Sequence, residues 1–292
     1  RDISLELRCS RTTAMEIYKN GVRQKRQSDA QGLLKTVLFC PEDLMLVRAG
    51  AAARRRFLDT ALCQMRPNYA RYLEEYNRLH EHKTRILRDS EEKPSLLSMW
   101  EDFSLRMAHI GAQIIRYRAY YCRKLLKAAA AVYADIAPHE VLSGVYKTVS
   151  SVTDPFADAR TIEKQLIDHV FSHKTAEIAA KSCLSGPHKD DLELLLDGRS
   201  AASFGSQGQV RTCTLSLKLA ERELFFDEDG EYPVLLLDDV LSELDRRRQD
   251  FVLNRISAGQ VMITCCEDGI SEKLRAGAVF HIQNGEKSTE TH

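Results

Sequence analysis

The sequence predicts an α/β protein whose sheet-forming segments flank an inserted, mainly helical lobe. Three observations carry this. Residues 1–41 read as β-rich, residues 42–182 carry mostly helical periodicity, and from 183 to 292 short apolar strands alternate with helices. Strands that are apolar throughout and separated by helices belong to a parallel sheet covered on its faces, so the first and last segments are expected to share one sheet.

In the first segment Ile3, Leu5 and Leu7 alternate like a strand, and Asn20-Gly21 separates two short alternating runs. Both turn residues tolerate positive φ, which predicts a hairpin. A short helix is expected around Asp29–Leu34, then a strand over Thr36–Cys40 that Pro41 stops. Helical spacing follows in Ala51–Cys63, in a segment starting at Pro67 with Tyr69, Tyr72, Tyr76, Leu79 and Leu87 on one face, and in a long run from about Leu96 to Ile136 ended by Pro138. The polar break DSEEKPS (89–95) makes the last two an antiparallel pair. Residues 140–152 read as strands and 158–181 as two shorter helices. In the last segment Leu192–Leu196, Val234–Leu237, Val261–Thr264 and Ala278–Gln283 read as strands, with helices over Gln207–Phe226 and Asp245–Ile256 and a turn at Asp197-Gly198. Val234–Leu237 lacks polar alternation and is expected to be buried on both faces.

Composition narrows the classes. Hydrophobic residues make up 43% and charged residues 29%, the balance of a soluble globular protein. Lys plus Arg equals Asp plus Glu at 42 each, so a nucleic-acid surface would be a local patch. No apolar run approaches the about 18 residues of a membrane helix; the longest, Leu125–Ala137, is interrupted by Lys127. The opening RDISLELRCS has no apolar core of a signal peptide. Eight cysteines without a C-x-x-C read as reduced thiols of a cytoplasmic protein.

Two stretches carry chemistry. In PVLLLDDVLSELD (233–245) an apolar strand ends in Asp238 and Asp239. An acid at the carboxyl end of a buried strand, where open α/β sheets bind ligands, suits a magnesium ion, and its neighbour can orient or deprotonate a water. The plain alternative is a strand ending in a surface turn. Upstream, FGSQGQVRTCTLSLKLAE (204–221) sets Ser206, Gln207, Gly208 and Gln209 at the start of a strong helix, where free N–H groups and the helix dipole favour a phosphate. The plain alternative is an N-cap by Ser206.

Together GSQGQ resembles the ABC-type signature, VLLLDD a Walker B strand and SELD the D-loop. With LFCPEDLMLVRAGAAARRRFLD (38–59) and SGPHKDDLELLLDG (185–198), the chain resembles the bacterial RecF family over essentially its whole length. The resemblance implies an ABC-type (SMC-like) ATPase head with an inserted helical second lobe. It divides the chain into 1–41 and 183–292 as parts of ATPase lobe I, and 42–182 as lobe II. It implies ATP and Mg2+ as cofactors and a weak DNA-dependent ATPase in the complete protein. It also implies an ATP-dependent homodimer that clamps single-stranded and gapped duplex DNA, works with RecO and RecR in recombinase loading, and serves replication forks, DNA repair and the SOS response.

Residue by residue, the resemblance puts Asp238 at the Walker B magnesium position and Asp239 at the adjacent carboxylate, a Glu in many ABC heads. Ser206, Gly208 and Gln209 match the signature that caps the γ-phosphate on the opposite subunit, with Gln207 between them. Ser242–Asp245 matches the D-loop at the dimer seam. Thr264 or its neighbours lie where many ABC proteins place a switch histidine, although no histidine occurs there, and Glu42 and Asp43 lie in the region of the Q-loop, which here has no Gln.

The phosphate-cradling loop G-x-x-x-x-G-K-[ST] is not among these residues, since none of the 14 glycines has another five positions on. The start in mid-strand reads as an N-terminal truncation of a RecF-like chain, at least about 30 residues short of a complete βαβ unit. A sheet without its full set of strands is expected to leave apolar surface exposed. This stretch by itself is expected to bind ATP poorly and hydrolyse essentially none. The competing expectation is a nucleotide-independent module, a pseudo-ATPase that recruits repair partners.

Weaker signals are local. Basic clusters stand at Arg23, Lys25 and Arg26, at Arg54, Arg55 and Arg56, and in RYRAYYCRKLLK (116–127). With Lys189 of the GPHKDD loop, Arg54–Arg56 are the DNA-contact candidates, although three consecutive arginines on a helix cannot all face one partner. The 116–127 run reads first as a solvated helix face with tyrosines in the core. His169 and His173, four apart, lack a third ligand and read as structural.

Overall fold

Asn20 (φ 50°) and Gly21 (φ 77°) form the left-handed two-residue turn that joins β2 (Glu16–Lys19) to β3 (Val22–Arg23). β1 (Leu5–Arg8) pairs antiparallel with β2, completing a three-stranded meander. The computed structural model describes residues 3–11, 15–25, 29–266, 277–283 and 286–287. Residues 30–34 are turns, not the expected helix: Gly32 takes φ 78° and sits against the Gln64 carbonyl, which ends any helical run there.

β4 (Thr36–Phe39), β8 (Val234–Asp238) and β9 (Val261–Thr264) form a parallel sheet in that order, with Val37 opposite Leu235 and Asp238 opposite Thr264. The chain thus leaves this sheet at β4 and returns to it at β8, as the shared-sheet expectation required. Val37, Phe39, Leu235 and Leu237 are buried on one face. On the other, Leu236 is half-buried while Leu38 and Met262 stand 46% and 56% exposed. The strand is therefore apolar on both sides but covered on one. An apolar pattern in sequence records which side chains gain from burial, not whether an element lies over them.

Between β4 and β8 lie α1 (Ala51–Met65), α2 (Pro67–Asp89) and α3 (Trp100–Ile136). Tyr69, at the start of α2, packs edge-on to Tyr117 at 5.6 Å, while Lys83 near its end lies 4.9 Å over the Trp100 ring at the start of α3, so the two helices run antiparallel. A 3-10 turn over Pro94–Met99 delays the start of α3 to Trp100. From there α3 runs for about 55 Å and buries Trp100, Ile114, Ile115, Leu125 and Tyr133.

Arg118, midway along α3, is 3% exposed and therefore not part of a solvated face. Its Nε donates to Asp59 Oδ1 (2.9 Å) and Tyr69 Oη (3.1 Å), Nη2 to Asp59 Oδ2 (2.9 Å), and Nη1 to the Pro187 carbonyl (2.7 Å) and Asp190 Oδ2 (3.0 Å). Tyr146 also donates to Asp190. Burial pushes the Asp190 carboxyl up to about 6, with the Arg118 guanidinium opposing it.

β5 (Leu142–Lys147) precedes α4 (Ala159–Ser172) and α5 (Lys174–Ala180). It pairs antiparallel with β6 (Asp191–Leu196), and β6 turns at Asp197 (φ 48°) and Gly198 (φ 77°) into β7 (Arg199–Ser200). The strand expected over 140–152 narrows to β5. α6 (Ala201–Phe204) leads to α7 (Gln207–Asp229), stopped by Gly230 at φ 74°, and α8 (Arg246–Arg255) separates β8 from β9. The expected strand Ala278–Gln283 is a two-residue β10 (Ile282–Gln283) paired with β11 (Glu286–Lys287); residues 277–281 take no regular secondary structure. Among the described residues no helix is long and apolar enough to cross a membrane.

Candidate functional site

β8 delivers Asp238 to an exposed position at its carboxyl end, and Asp239 follows in the left-handed conformation (φ 50°), which Asp tolerates better than most residues. Thr264, at the end of β9, binds both. Its Oγ1 donates to Asp238 Oδ1 (2.6 Å) and accepts from the Asp239 amide (3.0 Å), which also reaches the Thr264 carbonyl (3.1 Å). Ser242 Oγ lies 2.6 Å from the Asp239 carbonyl and 3.1 Å from its Oδ1. Every donor atom here is an oxygen, the set a magnesium ion takes. Such an ion is held by one or two carboxylates plus substrate phosphates, so the residues fit it although no three-residue metal cluster occurs among the described residues.

Ser206 caps α7. Its Oγ accepts from the Gln209 amide (3.3 Å), while Gln209 Oε1 accepts from the Ser206 amide (2.8 Å) in a closed capping box. Capping uses a lone pair of the Ser206 hydroxyl and leaves its O–H as a donor, so the cap and the anion-binding readings are compatible. Ser206 and Gln207 are exposed; Gly208 and Gln209 are half-buried. Gly205, packed so that a Cβ would meet the Ala201 carbonyl at 2.5 Å, offers its own carbonyl to Arg48 Nη2 at 2.8 Å. Gln209 Nε2 donates to Glu140 Oε1 at 2.9 Å.

The segment Ser242–Asp245 joins these two places. Ser242 holds Asp239 at one end. At the other, Asp245 caps α8 by accepting from the Arg248 amide (3.0 Å), and Arg248 reaches back to Thr212 Oγ1 (2.8 Å) and the Gly208 carbonyl (3.1 Å). Arg211 adds bonds to the Glu243 carbonyl (2.6 Å) and Oε2 (3.0 Å). Glu42 and Asp43 sit in a 3-10 turn after β4, where Asp43 pairs with Lys218 of α7 at 3.1 Å and Lys218 also donates to the Leu38 carbonyl at 2.8 Å. Sequence reading missed Arg48, Glu140, Arg211, Lys218 and Arg248. Their partners lie far along the chain and leave no local pattern.

The basic candidates separate. Arg54 makes a two-pronged bond to Asp191 (2.6 and 2.9 Å) and donates to the Val47 and Ala49 carbonyls, so its guanidinium binds the protein itself. Arg55 donates to the Asp190 carbonyl at 2.6 Å. Arg56 and Lys189 are exposed. Arg23 pairs with Glu16 at 2.8 Å, and Arg26 lies outside the described residues. His188 bonds Tyr76 (2.7 Å) and the Cys183 carbonyl (3.0 Å), and burial followed by the nearby His80 lowers its pKa to about 3. His169 and His173 stack at 4.1 Å.

A parallel core ending in paired acids, a helix capped by Ser206 and the Ser242–Asp245 turn between them define an ABC-type ATPase head. The same chain follows solved RecF structures closely: "recombination mediator protein RecF-ATPrS in RecFOR pathway" at TM-score 0.87 and 29% identity, over 97% of this chain and 75% of that one, and the RecF-ATP form at 0.83 and 30%, over 90% and 70%. Its sequence is 36% identical to the DNA replication and repair protein RecF of Lactobacillus johnsonii over 99% of this chain and 78% of that protein, and 37% identical to that of Bacillus cereus over 97% and 76%. The Acetivibrio thermocellus RecF is 32% identical over 97% and 76%. The chain belongs to the RecF family. No family model matches it.

Proposed function

We propose that this chain serves recombinational DNA repair as an ATP-gated dimeric clamp on gapped DNA, with RecO and RecR as partners in recombinase loading, in the cytoplasm. The observation that carries this reading is the unbroken bonding path from Thr264 and the two acids through Ser242–Asp245 to Arg248 and the Ser206–Gln209 turn. Paired acids at a strand end and a capped helix start are each common. Their fastening through one short turn would couple the two places in one subunit, which supports a reading in which both act at a dimer seam.

In this reading Asp238 holds a magnesium ion, which when bound offsets phosphate charge. Asp239, steadied by Thr264 and Ser242, orients or deprotonates the attacking water. Ser206 presents its O–H, and Gln207 and Gly208 their backbone N–H groups, to the γ-phosphate on the opposite subunit; Gln209 closes the cap that holds them, and Ser242 and Asp245 line the seam. Arg56 and Lys189, exposed, contact DNA phosphates. The loop that cradles the α- and β-phosphates is not among these 292 residues, which alone are expected to bind ATP weakly.

The test uses the natural full-length chain. Asp238→Asn is expected to cut magnesium-dependent hydrolysis, and Ser206→Arg to block ATP-driven dimerisation. Unchanged turnover in the first or an unchanged ATP-dependent dimer mass in the second refutes the corresponding role.

A further inference from the structure

The side-chain amide of Gln209 is held at both ends. Oε1 accepts from the Ser206 amide (2.8 Å) and Nε2 donates to Glu140 Oε1 (2.9 Å). The amide group is planar, so bonds at opposite ends fix its orientation, and a displacement of Glu140 is passed to the Ser206 backbone. Glu140 is in turn tied to the end of α3. Its other carboxylate oxygen accepts from Tyr133, which is fully buried in the last turn of that helix, and its amide donates to the Ala137 carbonyl at 3.1 Å.

The same helix end is held from the other side. Arg247 of α8 donates from Nη2 to the Ile136 carbonyl at 2.9 Å, across a cleft of about 380 Å³ lined by Pro138, Glu140, Asp245 and Arg248. The last turn of α3 therefore bonds to the Ser206–Gln209 turn through Glu140 and to the helix after Ser242–Asp245 through Arg247. Further back, α3 is rooted in the helical lobe by Arg118, bonded to Asp59 of α1 and Tyr69 of α2. A side chain that merely capped α7 would need none of this, because Ser206 and Gln209 already close the box between themselves.

We infer that Glu140 is a positioning residue through which the helical lobe, by way of α3, sets the Ser206–Gln209 turn. A load on the helical lobe, such as bound DNA, then changes the alignment of the phosphate-capping donors. This rests on the functional reading above for what the turn does, but not for how it is held.

The experiment compares Glu140→Ala and Glu140→Gln in the natural full-length chain, with Ser206→Arg as the control. It reads amide hydrogen exchange across 205–210 and steady-state ATP turnover with and without gapped DNA. Glu140→Ala is expected to speed exchange at 206–209 and to lower kcat about tenfold, the weight of one well-made hydrogen bond. KM should stay within about twofold, because the capped nucleotide is bound mainly by the other subunit. Stimulation by DNA is lost. Glu140→Gln keeps an acceptor oxygen for Gln209, its NH2 donates to the Tyr133 hydroxyl turned to accept, and it restores all three.

Unchanged exchange at 206–209 in Glu140→Ala overturns the inference, whatever the kinetics. So does an equal loss of protection across the whole chain with kcat and KM falling together, since that is the mark of scaffolding. If Ser206→Arg leaves turnover and dimerisation untouched, it is the functional reading of the turn that fails, and the exchange result still decides the role of Glu140.

Discussion

Thr264 binds Asp238 and the residue after it at once, donating from Oγ1 to Asp238 Oδ1 at 2.6 Å while the same oxygen accepts from the Asp239 amide at 3.0 Å. A hydroxyl has one proton and two lone pairs, so the two bonds do not compete. Thr264→Val keeps the shape and loses both. In the natural full-length chain it is expected to lower ATP turnover about tenfold or more, with Thr264→Ser close to the parent. Phosphate release at saturating ATP and Mg2+ measures this, and a fully active Val variant would show that the threonine does not set the acids.

Arg248 joins the turn at Gly208 to the turn at Asp245 with a fork of donors. A lysine is a shorter point charge without the planar fork that spans Thr212, the Gly208 carbonyl and the Asp245 carboxylate. Arg248→Lys and Arg248→Met are therefore both expected to weaken ATP-driven dimerisation about tenfold. Light scattering with and without ATP reports it; a lysine variant that dimerises like the parent contradicts the bridging role.

Glu221 of α7 is 3% exposed, and its Oε2 has no hydrogen-bond partner among the described residues. Burial, against the opposing charge of Lys218, raises its carboxyl from 4.5 to about 7. Between those values the folded protein holds a proton that the unfolded chain has released, so this group makes stability fall as pH rises through the window. Glu221→Gln removes the effect. It is expected to stabilise the protein at pH 8 by up to about 3 kcal/mol and to match the parent near pH 4, as read from urea midpoints at the two pH values.

Arg54 and Arg56 stand two apart and should behave differently. Arg54→Ala leaves Asp191 and two carbonyls without their donor and is expected to cost about 2 kcal/mol of stability. Arg56→Ala and Lys189→Ala are expected to leave thermal unfolding unchanged and to weaken DNA binding with a shallower salt dependence. Titrations at several salt concentrations decide between them; equal DNA affinity across the set removes Arg56 and Lys189 from the interface.

Much of this was legible in the sequence where the physics is local. Asn20-Gly21 fixes a hairpin because two successive residues need positive φ, Ser206 and Gln209 announce a helix start, and an apolar run before two acids announces a strand end. What was not legible depends on partners far along the chain. Arg118 reads as one charge in a basic run, yet its acceptors lie 59 and 72 positions away. Glu140 carries no mark in sequence of its bond to Gln209, 69 positions on. The exposed face of β8 was misread for a related reason, since its neighbours Leu38 and Met262 are as apolar as those of the covered face.

The buried guanidinium of Arg118 also constrains the order of folding. Its partners come from α1, α2 and the loop at 187–190, and both acceptors of Nη1 come from that loop, so without it the buried guanidinium has donors left bare. A half-formed helical lobe lacking that loop would leave the Nη1 donors of a buried guanidinium without acceptors and be strongly disfavoured. The lobe and the segment that follows it should therefore form and melt as one cooperative unit. Denaturation traces from Trp100, the only tryptophan, should superimpose on those from backbone dichroism.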